Sequence, residues 1–379
     1  MKILQIHNSY IYYGGEDSVV NEEAKILKKN GHEVTLLLRD NKKELLTLKD
    51  KFKTLLNLSY SKDSLKILDQ KLLEIGKPDI VHVHNIFPLW SYSIFELLNK
   101  KNIPVIMTLH NYRLIWDTLG VWDNNYLNYG CYKNSKIKTL FISRLLNRKK
   151  NLLNKIDKFI TLTEFTKQKF IEANVPADKL IIKPNFLSKK IIEIQNIDNK
   201  QNAIFASRIS KEKGILTLLK AWKNIPIKIK IFGDGPLFKK LKKNNHNVEF
   251  YGNCSIDRIS EEIKNSKFLI FPSEWYEPMG MTILEAFRAG TLVLASNIGS
   301  IPSIIKDGYN GILFNPGDAI DIQNKIKWIL NNSKKCNEIV ANAFNDFDQK
   351  YSDEINYKSL IKIYEDTIND KNLNIILDK

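Results

Sequence analysis

Short apolar and β-branched runs alternate with stretches of helical period from one end of this 379-residue chain to the other. In the first half the runs are KILQIHN, HEVTLLLR, DIVHVHN, PVIMTLH, KFITLT and LIIKPN. In the second half they are AIFASR, IKIKIFGDG, VEFYG, KFLIFPS, TLVLASN and GILFNPGD. They are nearly continuous rather than alternating, as in strands buried on both faces of a parallel sheet. Between them, DSVVNEEAKILKKNG and GILTLLKAWKN repeat apolar positions at helical spacing and read as crossover helices. This alternation predicts α/β architecture with doubly wound parallel sheets, and two sets of about six strands predict two such domains.

The polar residues 188–202 interrupt the strand–helix rhythm and read as an interdomain linker, and after FNPGD only helical pattern remains. The expected organisation is a Rossmann-like N-terminal domain over 1–186, a second over 187–352, and a helical tail over 353–379 packing back toward the first domain. In open α/β sheets ligands bind beyond the carboxyl ends of the strands. Two such domains facing each other would therefore form a cleft, with the strand-end motifs pointing in.

Composition adds bounds. The length exceeds one comfortable core, and 43% hydrophobic with 26% charged residues is ordinary for a soluble globular protein. The start MKILQIHNSY breaks its apolar run too early for a signal peptide, and no apolar segment approaches the ~20 residues that span a bilayer. Cys131, Cys254 and Cys336 have no metal-ligand spacing and read as reduced thiols of a cytosolic protein. The net charge of +16 points to an anionic partner, although a Lys-, Asn- and Ile-rich composition accounts for it equally well. The excess is uneven: residues 1–186 carry 30 Lys+Arg against 19 Asp+Glu, the remainder 28 against 23.

The strand ends carry the chemistry. ASRISKEKG places Arg208 just after a strand and Lys213 before a helix, either a diphosphate site or two solvated charges. FGDGP is a second strand-end turn without the third glycine of a dinucleotide fingerprint, and no P-loop occurs. FLIFPSEWYEPMG reads as strand, loop and a helix from about Gly280. Free amides of Met279, Gly280, Met281 and Thr282 at that helix start suit phosphate or sugar oxygens. Glu277 and Glu285 flank it and suit neutral hydroxyls, unless they are simply a helix-start acid and a solvated one.

In this order and spacing, ASRISKEKG, FGDGP, YEPMGMTILEA and GYNGILFNPGD resemble the retaining glycosyltransferases of family 4, the "glycosyl transferases group 1", which have the GT-B fold. YYGGEDSVV, PDIVHVHN and TLHNYR fit as well, so the resemblance spans nearly the whole chain. It implies transfer of a sugar from a nucleoside-diphosphate sugar (UDP ahead of GDP) to a saccharide or lipid-linked hydroxyl, in bacterial surface polysaccharide, lipopolysaccharide or glycoconjugate biosynthesis. It further implies that Arg208 and Lys213 hold the diphosphate, Glu285 the ribose, and Glu277 the donor sugar. By the same resemblance, the amides after Pro278 touch that sugar, and Gly14 and Gly15 let the diphosphate approach. His110 faces the sugar near its reacting carbon. Met279 and Met281 depart from the aromatic or proline of many relatives.

No metal is expected, because Arg208 and Lys213 would neutralise the leaving phosphate. The one Asp-x-Asp, Asp346 to Asp348, lies in the helical tail and reads as solvated charge. His82 and His84 share a strand face with no third ligand in view, and read as polar residues lining the cleft. Residues 133–156 carry eight basic residues, no acid, and apolar residues near helical spacing. They read either as a helix packed on its own sheet or as peripheral attachment to anionic lipid on the inner face of the cytoplasmic membrane. Two other functional classes make demands of their own. A sugar-nucleotide epimerase of the same fold calls for more cleft carboxylates and histidines. A nucleic-acid-binding protein calls for a module that is not recognisable here, so no nucleic-acid partner is expected.

Overall fold

A computed structural model of the chain describes residues 1–10, 14–47, 50, 54, 57, 60–115, 153–188, 194–242 and 247–377. The chain divides into two compact units, Met1–Pro184 with Asn356–Lys379, and Asn185–Ile355.

The first unit is built on six parallel strands, β1 (Lys2–Ser9), β2 (Glu33–Asp40), β3 (Ile80–Val83), β4 (Val105–Thr108), β5 (Lys158–Thr161) and β6 (Leu180–Ile182). Their spatial order is β2-β1-β3-β4-β5-β6. Each coincides with one of the apolar runs. β3 and β4 are buried at every position, which is why those runs do not alternate. Helix α1 (Gly15–Lys29) follows β1, and its first turn explains its acids. The Gly14 N–H donates to Asp17 Oδ2 at 2.9 Å, an N-terminal cap made by the third helical residue.

The second unit repeats the plan with β7 (Ala203–Ala206), β8 (Ile229–Phe232), β9 (Val248–Gly252), β10 (Phe268–Phe271), β11 (Leu292–Ser296) and β12 (Ile312–Phe314). Their order is β12-β11-β10-β7-β8-β9, again all parallel. The helices that bear on the site are α2 (Ile215–Trp222) and α3 (Met281–Arg288). Phe205, Trp222, Ile231, Phe268, Leu294 and Ile326 belong to its core. The chain runs outward from β7 to β9, then crosses back beside β7 to begin β10. The loops that leave β7 and β10 therefore diverge at the point where strand order reverses, the place where open α/β sheets bind ligands. In the first unit the same reversal falls between β1 and β3.

Two helices end the chain, α4 (Ser333–Lys350) and α5 (Asp353–Leu377). From α5, Leu360, Ile363 and Tyr364 join Ile3, Leu27, Ile80, Ile106 and Ile160 in the core of the first unit.

Two expectations need correction. Asp346 is helical but not solvated: it is buried, accepts a hydrogen bond from Asn310 Nδ2 at 2.7 Å, and lies 2.7 Å from Lys350 Nζ. His82 and His84 do not line an open cleft, being 0% and 2% exposed, because β3 is a central strand covered on both faces. Of the basic stretch 133–156, residues 133–152 lie outside the described residues; Leu153 and Ile156 are buried. Among the described residues no helix is long and apolar enough to cross a membrane, and Cys254 and Cys336 are free thiols.

Candidate active site

In the second unit the loops after β7 and β10 are locked together by backbone. Gly214 starts α2 with φ +70°, and a Cβ there would lie 1.7 Å from the carbonyl oxygen of Pro272. Only glycine fits such an approach. The Glu274 N–H donates to the Glu212 carbonyl at 2.9 Å, tying the same two loops.

This contact sets two ion pairs side by side, Arg208 with Glu212 and Lys213 with Glu277. The exposed Arg208 guanidinium pairs with the Glu212 carboxylate, which also accepts from Ser210 Oγ at 2.7 Å. Burial opposes ionisation of Glu212. The hydrogen bonds from Ser210 and from its own backbone N–H, together with the Arg208 charge, outweigh burial and hold the carboxyl below its usual range. Lys213 Nζ donates to Glu277 Oε1 at 2.5 Å, and Ser273 Oγ donates to the same oxygen at 2.8 Å. Ser300 Oγ donates to the Glu277 carbonyl. Glu277 is 7% exposed, and among the described residues nothing bonds its Oε2.

Helix α3 begins beside Glu277. Gly280 is its N-cap and offers no side chain. Among the described residues the N–H groups of Met279, Gly280, Met281 and Thr282 have no protein partner, as expected for the first turn of a helix. Met279 is buried and its Sδ accepts from the Asn185 N–H at 3.2 Å, so its side chain fills space beneath the loop. Glu285 lies one turn along α3, half-buried. Burial pushes its carboxyl up to about 7, against the pull of Arg288.

The first unit presents a second group of polar residues at its own strand ends. Tyr10, at the end of β1, donates to Glu16 Oε2 at 2.7 Å; Asn111 Nδ2 donates to Glu16 Oε1 at 3.0 Å. Arg113 Nη1 donates to the Tyr10 hydroxyl at 3.0 Å and stacks over that ring. Thus the Gly14–Gly15 turn and the His110–Arg113 segment are stitched together through Glu16. His110 is buried just after β4. Its Nε2 lies 3.0 Å from His84 Nδ1, and among the described residues its Nδ1 has no partner. Burial lowers its pKa to about 4, so the ring is neutral at pH 7.

The third potential ligand missing from the sequence is Glu23 of α1. Ligand atoms of Glu23, His82 and His84 lie within 4.8 Å of one another. The lack of a third ligand, which spoke against a metal in the sequence, therefore falls. Lys183 Nζ already sits 2.8 Å from Glu23 Oε1, and both nitrogens of His82 are engaged, by Tyr364 and Thr108.

The family model described as "Glycosyltransferase Family 4" matches residues 13–188, and that described as "Glycosyl transferases group 1" matches residues 188–346. They abut, one on each unit. The chain belongs to the family 4 glycosyltransferases. An uncharacterised glycosyltransferase of Methanocaldococcus jannaschii is 27% identical over 377 residues, covering 97% of this chain and 98% of that protein. An uncharacterised 41.2 kDa protein from the cps region of Klebsiella pneumoniae is 28% identical, covering 80% of this chain and 84% of the relative. Among solved structures, Anabaena HepE in complex with UDP superposes with a TM-score of 0.71 at 18% identity, covering 97% of this chain and 100% of HepE. HepE has also been solved with UDP-glucose. The likeness confirms the GT-B fold of this glycosyltransferase.

Of the residues singled out from the sequence of this glycosyltransferase, Lys213 and Glu277 meet in the second unit beside the start of α3, Arg208 pairs with the neighbouring Glu212, and Glu285 lies one turn along α3. Gly14, Gly15 and His110 share the strand ends of the first. Sequence reasoning missed Glu212 and Ser273, which hold the cation and the carboxylate in place. A glutamate between two basic residues in SKEKG, and a serine four positions before Glu277, were the available signals.

Proposed function

We propose that this glycosyltransferase moves a sugar, with retention of configuration and without a metal ion, from a nucleoside-diphosphate sugar to a hydroxyl of a saccharide or lipid-linked acceptor. The observation that carries this reading is the fixed Glu277. Its Oε1 is held by Lys213 and Ser273, which leaves Oε2 as an aimed acceptor for a sugar hydroxyl next to cations suited to a diphosphate.

The bond between the sugar's anomeric carbon and the phosphate oxygen breaks, and its electron pair stays on the phosphate. Arg208 and Lys213 stabilise that growing charge more in the transition state than in the ground state. The acceptor oxygen bonds the same carbon on the same face, and its proton passes to the departing phosphate. Amides of Met279 to Thr282 and the neutral His110 orient the sugar, Glu285 takes the ribose hydroxyls, and the Gly14–Gly15 turn gives the diphosphate room. UDP is favoured as the nucleotide, in keeping with HepE. Surface-polysaccharide synthesis is favoured as the setting, in keeping with the relative from a cps region. Eight Lys and Arg with no acid in residues 133–156 support a peripheral contact with anionic lipid at the cytoplasmic face.

The test is a thermal-shift panel of UDP-, GDP- and ADP-sugars, since a ligand at ~100 times its dissociation constant stabilises by ~2.7 kcal/mol. The best donor is then followed by NMR for the anomer released, with and without EDTA. Stabilisation by none of the donors sinks the donor assignment. Release of the inverted anomer refutes retention, and loss of turnover in EDTA that Mg²⁺ restores refutes metal independence.

A further inference from the structure

The buried histidines behind His110 form a chain whose proton positions are determined by one carboxylate. Glu23 Oε1 is paired with Lys183, while Glu23 Oε2 faces His84 Nε2 at 3.6 Å and His82 Nδ1, already bonded to Tyr364, at 3.8 Å; among the described residues neither Glu23 Oε2 nor His84 Nε2 has a hydrogen-bond partner. His84 Nδ1 meets His110 Nε2 at 3.0 Å, and His110 Nδ1 is again unpartnered. Both rings are neutral, because burial holds their pKa values below the usual range.

Two neutral imidazole nitrogens 3.0 Å apart need one N–H and one lone pair. The choice is made at the other end. If His84 carried its proton on Nδ1, its Nε2 lone pair would face the lone pairs of Glu23 Oε2 in a dry interior, which is costly. With the proton on Nε2, His84 points an N–H at the carboxylate. Its Nδ1 must then accept from His110, so His110 carries its proton on Nε2. Glu23 thereby fixes the tautomer of His110 through His84, as hydrogen bonding to one ring nitrogen sets the role of the other.

We propose that Glu23 is a positioning residue: acting through His84, it holds His110 as the Nε2–H tautomer and leaves His110 Nδ1 as a bare acceptor. Lys183 Nζ pairs with Glu23 Oε1 at 2.8 Å, and the His82 ring, held between Tyr364 and Thr108, lies 3.9 Å from the His84 ring at a tilt of 34°. The meeting of His110 with the sugar rests on the function proposed above; the tautomer does not.

The experiment is a ¹⁵N-histidine NMR spectrum of the full chain at pH 7.5, read through the two-bond couplings that report which ring nitrogen is protonated. His110 is assigned by its missing signals in His110→Asn. The expected result is a proton on Nε2 and a bare Nδ1, before any substrate is added. A proton on His110 Nδ1 overturns the proposal, whether or not the chain binds a nucleotide sugar. The paired variant Glu23→Leu/Lys183→Met removes the buried ion pair as a unit, and should let both His110 tautomers coexist. An unchanged spectrum in the folded variant overturns the part assigned to Glu23. If that variant does not fold, the wild-type spectrum still decides.

Discussion

Lys213 Nζ lies 2.5 Å from Glu277 Oε1, so a cation assigned to the phosphate and a carboxylate assigned to the sugar are each other's partner. The two roles are thus coupled. Lys213→Ala leaves a buried carboxylate with only Ser273, at a cost of roughly 1–3 kcal/mol in stability. Arg208→Ala removes an exposed ion pair and should cost about 0–1 kcal/mol. Both should cut turnover by roughly 10²–10³-fold, as loss of a transition-state donor does. Equal melting temperatures for the two variants, or turnover within threefold of wild type, would contradict the pairing and the clamp respectively.

Glu277→Gln separates binding from chemistry. The change releases Lys213 from its carboxylate, so affinity for free UDP should hold or tighten, while sugar transfer falls sharply because contacts to the sugar strengthen as charge develops. Calorimetry with UDP beside a turnover assay reads both. Weaker UDP binding by tenfold or more would place Glu277 on the nucleotide instead.

Gly214→Ala tests the junction of the two loops. A Cβ 1.7 Å from the Pro272 carbonyl oxygen cannot be accommodated by a rotamer change, so backbone must move. Nucleotide affinity should fall with the melting temperature. An alanine variant that binds UDP normally would show that the loops need not touch.

The buried histidines predict acid sensitivity. Burial holds His82 and His84 well below, and His110 at about 4 against, the ordinary 6.5. The unfolded chain therefore binds protons that the folded chain refuses, and stability is lost as pH falls from about 6.5 toward 4. At pH 5 each histidine that stays neutral costs about 2 kcal/mol. Urea midpoints at pH 7.5 and pH 5 measure this, and His84→Gln should flatten the dependence; an identical slope in the variant rules the histidine out as its source.

Glu285 has the opposite sign. Its carboxyl, raised by burial to about 7, keeps its proton in the folded chain where the unfolded chain has lost it, so its contribution is lost as pH rises through about 7. Glu285→Gln should therefore melt higher at pH 8, by roughly 1–3 kcal/mol of stability. It should nonetheless bind UDP more weakly, through the lost ribose contact. A variant that is less stable at pH 8, or binds UDP as tightly as wild type, would remove Glu285 from the site or from its buried setting.

The sequence by itself determined the elements and their order. Runs such as KFLIFPS and TLVLASN are apolar without alternation because both faces of a central parallel strand are covered, and that constraint is written in consecutive residues. Arg208, Lys213, Glu277 and Glu285 were legible because strand ends and helix starts are local features with local residue preferences. What pairs with what was not. Lys213 and Glu277 are 64 positions apart, Lys183 and Glu23 are 160, and His82 and Tyr364 are 282. No local pattern records such partners, so a third residue beside His82 and His84, or the buried state of Asp346, appears only once the sheet order brings distant segments together. The strand-end chemistry is local and the protonation of its second shell is not, because a buried charge is set by whatever the whole fold leaves within a few ångströms of it.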